Sequence, residues 1–130
     1  MTIVEEGVSS VYAAPGQRGA VANYRPRYGH YIGGEFVEPI KGGYFENISP
    51  VNGKPFTEVG RGTAEDIDAA VEVAWKAFES WRRTSPTDRA NLLNRIADRM
   101  EQHLEALAVA ETWENGKPVR ETLAADIPLA

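Results

Sequence analysis

Two long stretches with amphipathic helical spacing constrain the fold of this 130-residue chain most strongly. Apolar residues recur every three or four positions, at Ile67, Val71, Ala74, Phe78 and Trp81 in the first stretch, and at Leu92, Leu93, Ile96, Ala97, Met100 and Leu104 in the second. Burial of one Leu or Phe contributes about 1.5–3 kcal/mol, whereas ordering each backbone residue costs about 1–2 kcal/mol. Because such faces need cover, we expect these helices to pack on further sheet and helix, and the chain alone to be marginally stable.

Capping residues predict where the helices begin and end. Typical starts are found at Thr63, with Asp66 three residues later, and at Ser85-Pro86, with Asp88 in the first turn. A hydroxyl before the first turn and an acid within it satisfy free backbone N–H groups. We expect the second helix to continue through Leu107 and Ala108 to Asn115-Gly116, another helix to begin at Pro118, and Pro128 to kink or stop it.

The segment before the first helix carries strand and turn patterns. Short apolar runs on both sides of Gly33-Gly34 predict a β-hairpin, because both glycines accept positive φ. Runs at 44–48 and 56–59 flank a turn that contains Asn-Gly, and they predict a second hairpin. Pro50 and Pro55 lack an N–H donor, which favours edge strands. The sequence therefore predicts an α/β fold in which N-terminal β-hairpins are followed by helices.

The two ends of the chain differ from its middle. In residues 1–28, Gly and Pro interrupt every periodic pattern, which predicts a flexible leader before a structured part that spans 29–130. At the other end, an apolar helical stretch reaches Ala130 without a glycine cap or a polar tail. Helices normally end with such signals, so we expect the domain to be incomplete and truncated at Ala130.

Composition excludes several classes of function. The net charge of −5 argues against a nucleic-acid partner, because phosphate binding requires a basic surface. No apolar run is long enough to span a bilayer, and Glu5 and Glu6 stand where a signal peptide carries Lys or Arg. We therefore expect no membrane partner and a cytoplasmic protein. The chain contains no Cys, which excludes thiol chemistry within these residues.

Several local patterns admit both a functional and a structural interpretation, and the structural one is favoured. Gly33-Gly34 and Gly42-Gly43 lack the strand–GxGxxG–helix context of a phosphate loop. His30 and His103 each lack a second imidazole at metal-ligand spacing. Glu residues between 101 and 114 are typical of a solvent-facing helix. The tryptophans, at Trp75, Trp81 and Trp113, indicate packing rather than ligand stacking.

Three blocks in a fixed order resemble the N-terminal portion of the aldehyde dehydrogenase superfamily. They are Ile32-Gly33-Gly34 with Asn47-Ile48-Ser49-Pro50, then Leu92-Leu93 through Ala97-Asp98, then Glu111-Thr112-Trp113-Glu114-Asn115-Gly116-Lys117-Pro118. The resemblance extends from about Tyr28 to Ala130. The run ETWENGKPVRETLAADIPLA is most similar to the subgroup that acts on acetaldehyde and other short aliphatic aldehydes.

The resemblance implies that the segment is part of a Rossmann-like NAD-binding domain in a larger subunit. The family oxidises an aldehyde to a carboxylic acid with NAD or NADP, using a Cys thiolate, a Glu that activates water and an Asn that stabilises the oxyanion. In the family these groups and the cofactor turn lie beyond the position of Ala130. We therefore assign no catalytic and no cofactor-binding residue here. The implied partners are the remainder of the same chain, the aldehyde substrate, and further subunits in a homodimer or homotetramer.

The resemblance also implies one metal site. Some members bind a structural monovalent cation, K⁺ or Na⁺, through main-chain carbonyls of the first β segment and an acid before the Asn-Gly-Lys-Pro turn. The matching positions here are Asn47, Ile48 and Glu114. Many members carry Asp where this chain has Glu114. The alternative is a strand end and a helix-end acid that hold no ion.

Functions from different classes follow from these patterns. The first is the N-terminal segment of an oxidoreductase for short aliphatic aldehydes. The second is a free-standing, non-enzymatic interaction module derived from a truncated aldehyde dehydrogenase, whose apolar helix faces dock on another protein. Hydrolysis by paired carboxylates of the acidic helices has little support, because acids along a solvent-facing helix are common. Ser85 has no His and acid in a recognisable triad order, so it is interpreted as a helix cap.

Overall fold

The computed structural model describes residues 12–130. Five short strands come first: β1 Arg27–Tyr28, β2 His30–Ile32, β3 Glu35–Val37, β4 Tyr44–Ile48 and β5 Pro55–Gly60. The helices follow: α1 Ala64–Trp81, α2 Pro86–Gln102, α3 Leu104–Asn115, α4 Val119–Glu121 and α5 Ile127–Leu129, with a π-helical turn Thr122–Asp126 between α4 and α5. The predicted α/β order of strands and then helices is confirmed.

Both predicted hairpins are present. β2 pairs antiparallel with β3 around Gly33 and Gly34, whose φ angles are 68° and 94°, and β4 pairs antiparallel with β5. The expectation of an edge strand is wrong for β5, which lies between β4 and a parallel β1. Pro55 is tolerated because it is the first residue of β5, before the ladder to β1 at Glu58 and Val59.

The second apolar stretch is two helices rather than one. The start of α2 is as predicted, since Ser85 Oγ accepts the N–H of Asp88 at 3.1 Å. At His103, however, the backbone N–H donates to the carbonyl of Met100, three residues back, and the His103 carbonyl accepts the first hydrogen bond of α3. This tightened turn separates α2 from α3, so the continuous helix expected from the apolar spacing is wrong at this point.

Part of the leader predicted for residues 1–28 lies against the helices in the structure; residues 1–11 of it lie outside the described residues. Ala22 is buried in a small core with Val109 and Trp113 of α3. The Gly and Pro residues of this segment give it no regular period, but its order comes from contacts with α3 that are distant in sequence. Local sequence patterns cannot predict contacts between residues so far apart in the chain.

The apolar faces of α1 and α2 are largely uncovered. Trp75 is 65% exposed and Leu93 is 66% exposed. Buried apolar residues in the described part of the chain are confined to Ala22 and three positions on α3. The apolar faces of these two helices are therefore exposed within the described residues. Within residues 12–130, no helix is long and apolar enough to cross a membrane.

Thr122 fixes the corner between α3 and the C-terminal helical turns. Its side chain is fully buried, and its hydroxyl lies 2.9 Å from the carbonyl of Ala108 and 3.0 Å from that of Val119. Pro128 follows the π-helical turn. Because Pro has no N–H to donate, the helix next to it widens locally instead of continuing with regular spacing.

Candidate functional site

Asn47 and Glu114 lie together in the structure although 67 positions separate them in the sequence, and Asn47 Nδ2 donates to Glu114 Oε2 at 2.8 Å. Asn47 and Ile48 end β4, where a register shift interrupts the ladder to β5. Glu114 occupies the last turn of α3. The structure thus brings the end of β4 next to the end of α3, and the resemblance named residues on both sides of this junction.

A buried serine fixes the junction. Ser49 is fully buried, and its Oγ donates to the carbonyl of Trp113 at 2.6 Å while it accepts the N–H of Val51 at 3.2 Å. On the helix side, Gly116 adopts a φ of +82°, and a Cβ added there would lie 3.1 Å from Pro50 Cγ. The positive φ favours glycine, and a side chain at this position would also press on Pro50. The separation of the strand end from the helix end is therefore tightly set.

The oxygen atoms at this junction suit a hard cation of low charge. Carboxylate and main-chain carbonyl oxygens are the ligands that such ions prefer. Glu114 supplies one carboxylate, whereas Glu111 on the preceding turn accepts from Asn115 Nδ2 at 2.6 Å. No group of three or more His, Cys, Asp or Glu side chains within residues 12–130 is placed to hold a metal ion.

Tyr24 lies beside the acids of α3. Its hydroxyl donates to the carbonyl of Ala110 at 3.3 Å, and its ring meets Phe56 edge to face at 4.6 Å. Burial, followed by the negative charge of Glu114, raises the pKa of Tyr24 to about 12. The phenol is therefore protonated at neutral pH and serves as a hydrogen-bond donor to α3.

A second polar cluster lies at the start of α1. The buried carboxylate of Asp66 accepts the backbone N–H groups of Ile40 at 2.9 Å and Thr63 at 2.8 Å. These bonds, that of Ile40 first, hold the pKa of Asp66 below its usual range. His30 Nε2 lies 3.8 Å from this carboxylate and has no hydrogen-bond partner among the described residues. The cluster joins the loop after β3 to α1, which is a structural role.

The described residues hold neither a catalytic nucleophile nor a dinucleotide turn. The sequence has no Cys, Ser85 is used as the cap of α2, and His103 is exposed between two helices. Gly33-Gly34 forms the β2–β3 turn, and Gly42-Gly43 lies in the loop before β4. Neither pair precedes a helix, as a pyrophosphate-binding turn does. The two glycine pairs are therefore a strand turn and a loop rather than a pyrophosphate-binding turn.

Solved structures with this arrangement are aldehyde dehydrogenases. Indole-3-acetaldehyde dehydrogenase in complex with NAD⁺ gives a TM-score of 0.76 at 38% identity, over 82% of this chain and 22% of its own. The NAD⁺ complex of aldehyde dehydrogenase from Bacillus cereus gives 0.73 at 41% identity, over 78% of this chain and 21% of its own. The fold is that of the N-terminal part of this class of α/β dehydrogenase.

Sequence relatives lead to one family. The model described as the aldehyde dehydrogenase family matches residues 36–130. A probable aldehyde dehydrogenase from Streptomyces coelicolor is 65% identical over 119 residues, which cover 92% of this chain and 24% of the relative. Acetaldehyde dehydrogenase from Pseudomonas aeruginosa is 64% identical over 120 residues, 92% of this chain and 24% of the relative. The chain belongs to the aldehyde dehydrogenase family, and it spans about a quarter of the length of these relatives.

Two residues that contact α3 near the junction, Ser49 and Tyr24, were not predicted from the sequence as site residues. Ser49 was notable only as part of a motif, although a serine directly before a proline turn is a signal for a side-chain bond to nearby backbone. Tyr24 falls in the expected leader and carries no local signal. Its contact with Ala110 joins residues 86 positions apart, so only the folded chain reveals it.

Proposed function

We propose that this segment is the N-terminal structural part of an enzyme that oxidises an aldehyde to a carboxylic acid with NAD or NADP. The proposal rests on the 65% identity with the Streptomyces coelicolor relative. The remainder of the polypeptide would cover the apolar faces of α1 and α2 and supply the thiolate, the general base and the dinucleotide turn. The segment itself would contact neither the aldehyde nor the nicotinamide.

For the finer assignment, we propose a short aliphatic substrate of the acetaldehyde kind, and a cytoplasmic homodimer or homotetramer. Support for the substrate comes from the acetaldehyde dehydrogenase of Pseudomonas aeruginosa, at 64% identity, and a fluoroacetaldehyde dehydrogenase, at 55%. The competing substrate class is long-chain aldehydes, because a long-chain-aldehyde dehydrogenase from Acinetobacter is 60% identical.

Activity of the enzyme that contains this segment tests the proposal. The purified enzyme is assayed with linear aldehydes of increasing length, with NAD or NADP, by the absorbance of the reduced nicotinamide. We expect kcat/KM to be highest for acetaldehyde and its nearest homologues and to fall with chain length. A maximum among long aldehydes would refute the short-chain assignment alone. Absence of any aldehyde-dependent reduction would refute the enzymatic proposal itself.

We also propose that the junction of β4 and α3 binds a monovalent cation, K⁺ or Na⁺, through the main-chain carbonyls of Asn47 and Ile48 and through Glu114. Support comes from the 2.8 Å contact between Asn47 and Glu114, which places the strand end beside the acid. The ion would add positive charge beside Glu114, whose carboxylate accepts the neutral amide of Asn47. Its role there would be structural.

The cation site is tested by the melting temperature of the enzyme that contains this segment. It is measured in K⁺, in Na⁺ and in choline at equal ionic strength. At a concentration tenfold above its dissociation constant, the ion should stabilise the fold by about 1.4 kcal/mol. Glu114→Gln keeps an acceptor for Asn47 but removes the charge, so the cation-dependent rise in melting temperature should disappear. Glu111→Gln, one turn earlier, should keep it. An equal response to all three salts in the unsubstituted protein would refute the site.

A further inference from the structure

The tetrapeptide Asn-Gly-Lys-Pro occurs twice in this chain, at 52–55 and at 115–118. The first copy forms the turn between β4 and β5, and the second ends α3. Because the four residues are identical, their intrinsic chemistry is the same in an unfolded chain. Any difference in reactivity between the two Asn-Gly pairs must then come from the folded environment.

The first copy is open and weakly restrained. Asn52 and Gly53 are exposed, as are Asn115 and Gly116, but a Cβ added at Gly53 would meet nothing within 4 Å. Asn52 Oδ1 accepts the N–H of Lys54 at 3.0 Å. Its Nδ2 has no hydrogen-bond partner among the described residues. The amide nitrogen of this side chain is thus free to leave.

The second copy is held at both ends of the side chain. Asn115 Nδ2 donates to Glu111 Oε1 at 2.6 Å, and its Oδ1 accepts the N–H of Lys117 at 2.8 Å. Asn115 is also the last residue of α3, so the helix fixes its backbone. Gly116 is packed against Pro50, at 3.1 Å from an added Cβ.

The glycine N–H groups do not distinguish the two copies. The N–H of Gly53 donates to Ser49 and that of Gly116 donates to Thr112, each at 2.8 Å. The difference therefore lies in the bond from the Asn115 side chain to Glu111 and in the packing of the second copy against Pro50 at the end of α3. Both favour reaction at the first copy.

We propose that Asn52 is a site of spontaneous deamidation and isoaspartate formation, and that the fold protects Asn115 from the same reaction. The Gly53 backbone nitrogen loses its proton to solvent base and attacks Asn52 Cγ. A C–N bond forms, the Cγ–Nδ2 bond breaks, and Nδ2 leaves as ammonia after taking a proton from water. One water molecule then opens the succinimide at either carbonyl, leaving Asp or isoaspartate. No oxidant or cofactor takes part.

The reaction would change the β4–β5 turn in two ways. It places a carboxylate where the chain had a neutral amide, and in the isoaspartate form it adds a methylene to the backbone path between the two strands. Since turn length sets the register of a hairpin, the modified chain should pair β4 with β5 less well. The turn follows Ser49, whose bond to Trp113 fixes the junction, so Asn52 is a point at which ageing loosens this region.

Peptide mapping by mass spectrometry tests the proposal on the purified enzyme that contains this segment, during incubation in warm, mildly alkaline buffer. We expect acid to appear at Asn52 about tenfold faster than at Asn115, because Asn115 must break one more hydrogen bond to a charged group. In urea the two rates should become nearly equal, because the tetrapeptides are identical. Equal rates in native buffer would overturn the proposal, and so would a preference for Asn52 that persists in urea.

A variant of the protecting contact gives a second, independent readout. Glu111→Ala removes the acceptor of Asn115 Nδ2, so deamidation at Asn115 should rise several-fold while the rate at Asn52 stays unchanged. Glu105→Ala, an exposed acid on the same helix, is the matched control and should alter neither rate. An unchanged rate at Asn115 in the Glu111 variant would show that its side-chain bond does not protect it, contrary to the proposal.

Discussion

The 130-residue chain on its own is expected to reduce no NAD or NADP with any aldehyde, whereas co-expression with the complementary part of the Streptomyces coelicolor relative should restore activity. The isolated chain has no thiol, and its described residues hold no dinucleotide turn. The relative is 65% identical over 119 residues, which make up 24% of its length. We therefore expect the rest of the relative to carry surfaces complementary to this chain. Aldehyde-dependent absorbance of reduced nicotinamide measures the recovery.

The uncovered face of α1 supplies the matched control for this experiment. Val71 is 49% exposed on the apolar side, and Val71→Asp places a charge where the complementary part is expected to pack. We expect this variant to lose the recovered activity. Glu79→Gln alters an exposed acid on the same helix and should leave the recovery unchanged. Full recovery with Val71→Asp would show that this face is not the one that assembles.

The isolated chain also distinguishes the two classes of function. Activity without the complementary part would overturn the structural role proposed for the segment. A chain that is compact, monomeric, cooperatively melting and inactive, and that gains nothing from the complementary part, would favour the free-standing interaction module. Marginal stability and concentration-dependent association of the isolated chain, together with recovery on co-expression, are the expected outcome, because exposed apolar faces drive association.

The parts of the fold that depend on neighbouring residues could be predicted from the sequence. The β2–β3 hairpin follows from Gly33-Gly34, because only glycine takes two successive positive φ angles without strain. The start of α2 follows from Ser85, whose hydroxyl accepts the N–H of Asp88. In both cases the physical cause lies within a few residues, so a local pattern contains it.

The parts that depend on distant residues could not be predicted in this way. The order of residues 12–28 comes from Ala22 packing on α3, and the parallel pairing of β1 places β5 inside a sheet. The break between α2 and α3 at His103 has no glycine or proline nearby that would predict it. For the candidate site, the resemblance named Asn47 and Glu114, but their contact at 2.8 Å joins residues 67 positions apart, so no local pattern contains it.

Trp113→Ala is expected to be the most destabilising single substitution in the described part of the chain. Trp113 is 9% exposed and forms the small core with Ala22 and the fully buried Val109. Removal of a buried Trp side chain typically costs about 3–5 kcal/mol, and whole domains are stable by only about 5–15 kcal/mol. With so few buried apolar residues to compensate, the variant should be largely unfolded, as measured by urea unfolding followed by circular dichroism.

Trp75→Ala is the matched control, because Trp75 is 65% exposed on α1. In the isolated chain its effect should stay within about 0.5 kcal/mol, as for other exposed positions. In the co-expressed assembly, both variants should affect activity. Trp113→Ala should abolish activity because the segment cannot fold. Trp75→Ala should lower activity because it alters the apolar face of α1. Equal destabilisation of the isolated chain by both variants would contradict the placement of the core around α3. An assembly indifferent to Trp75→Ala would contradict the placement of the complementary part on α1.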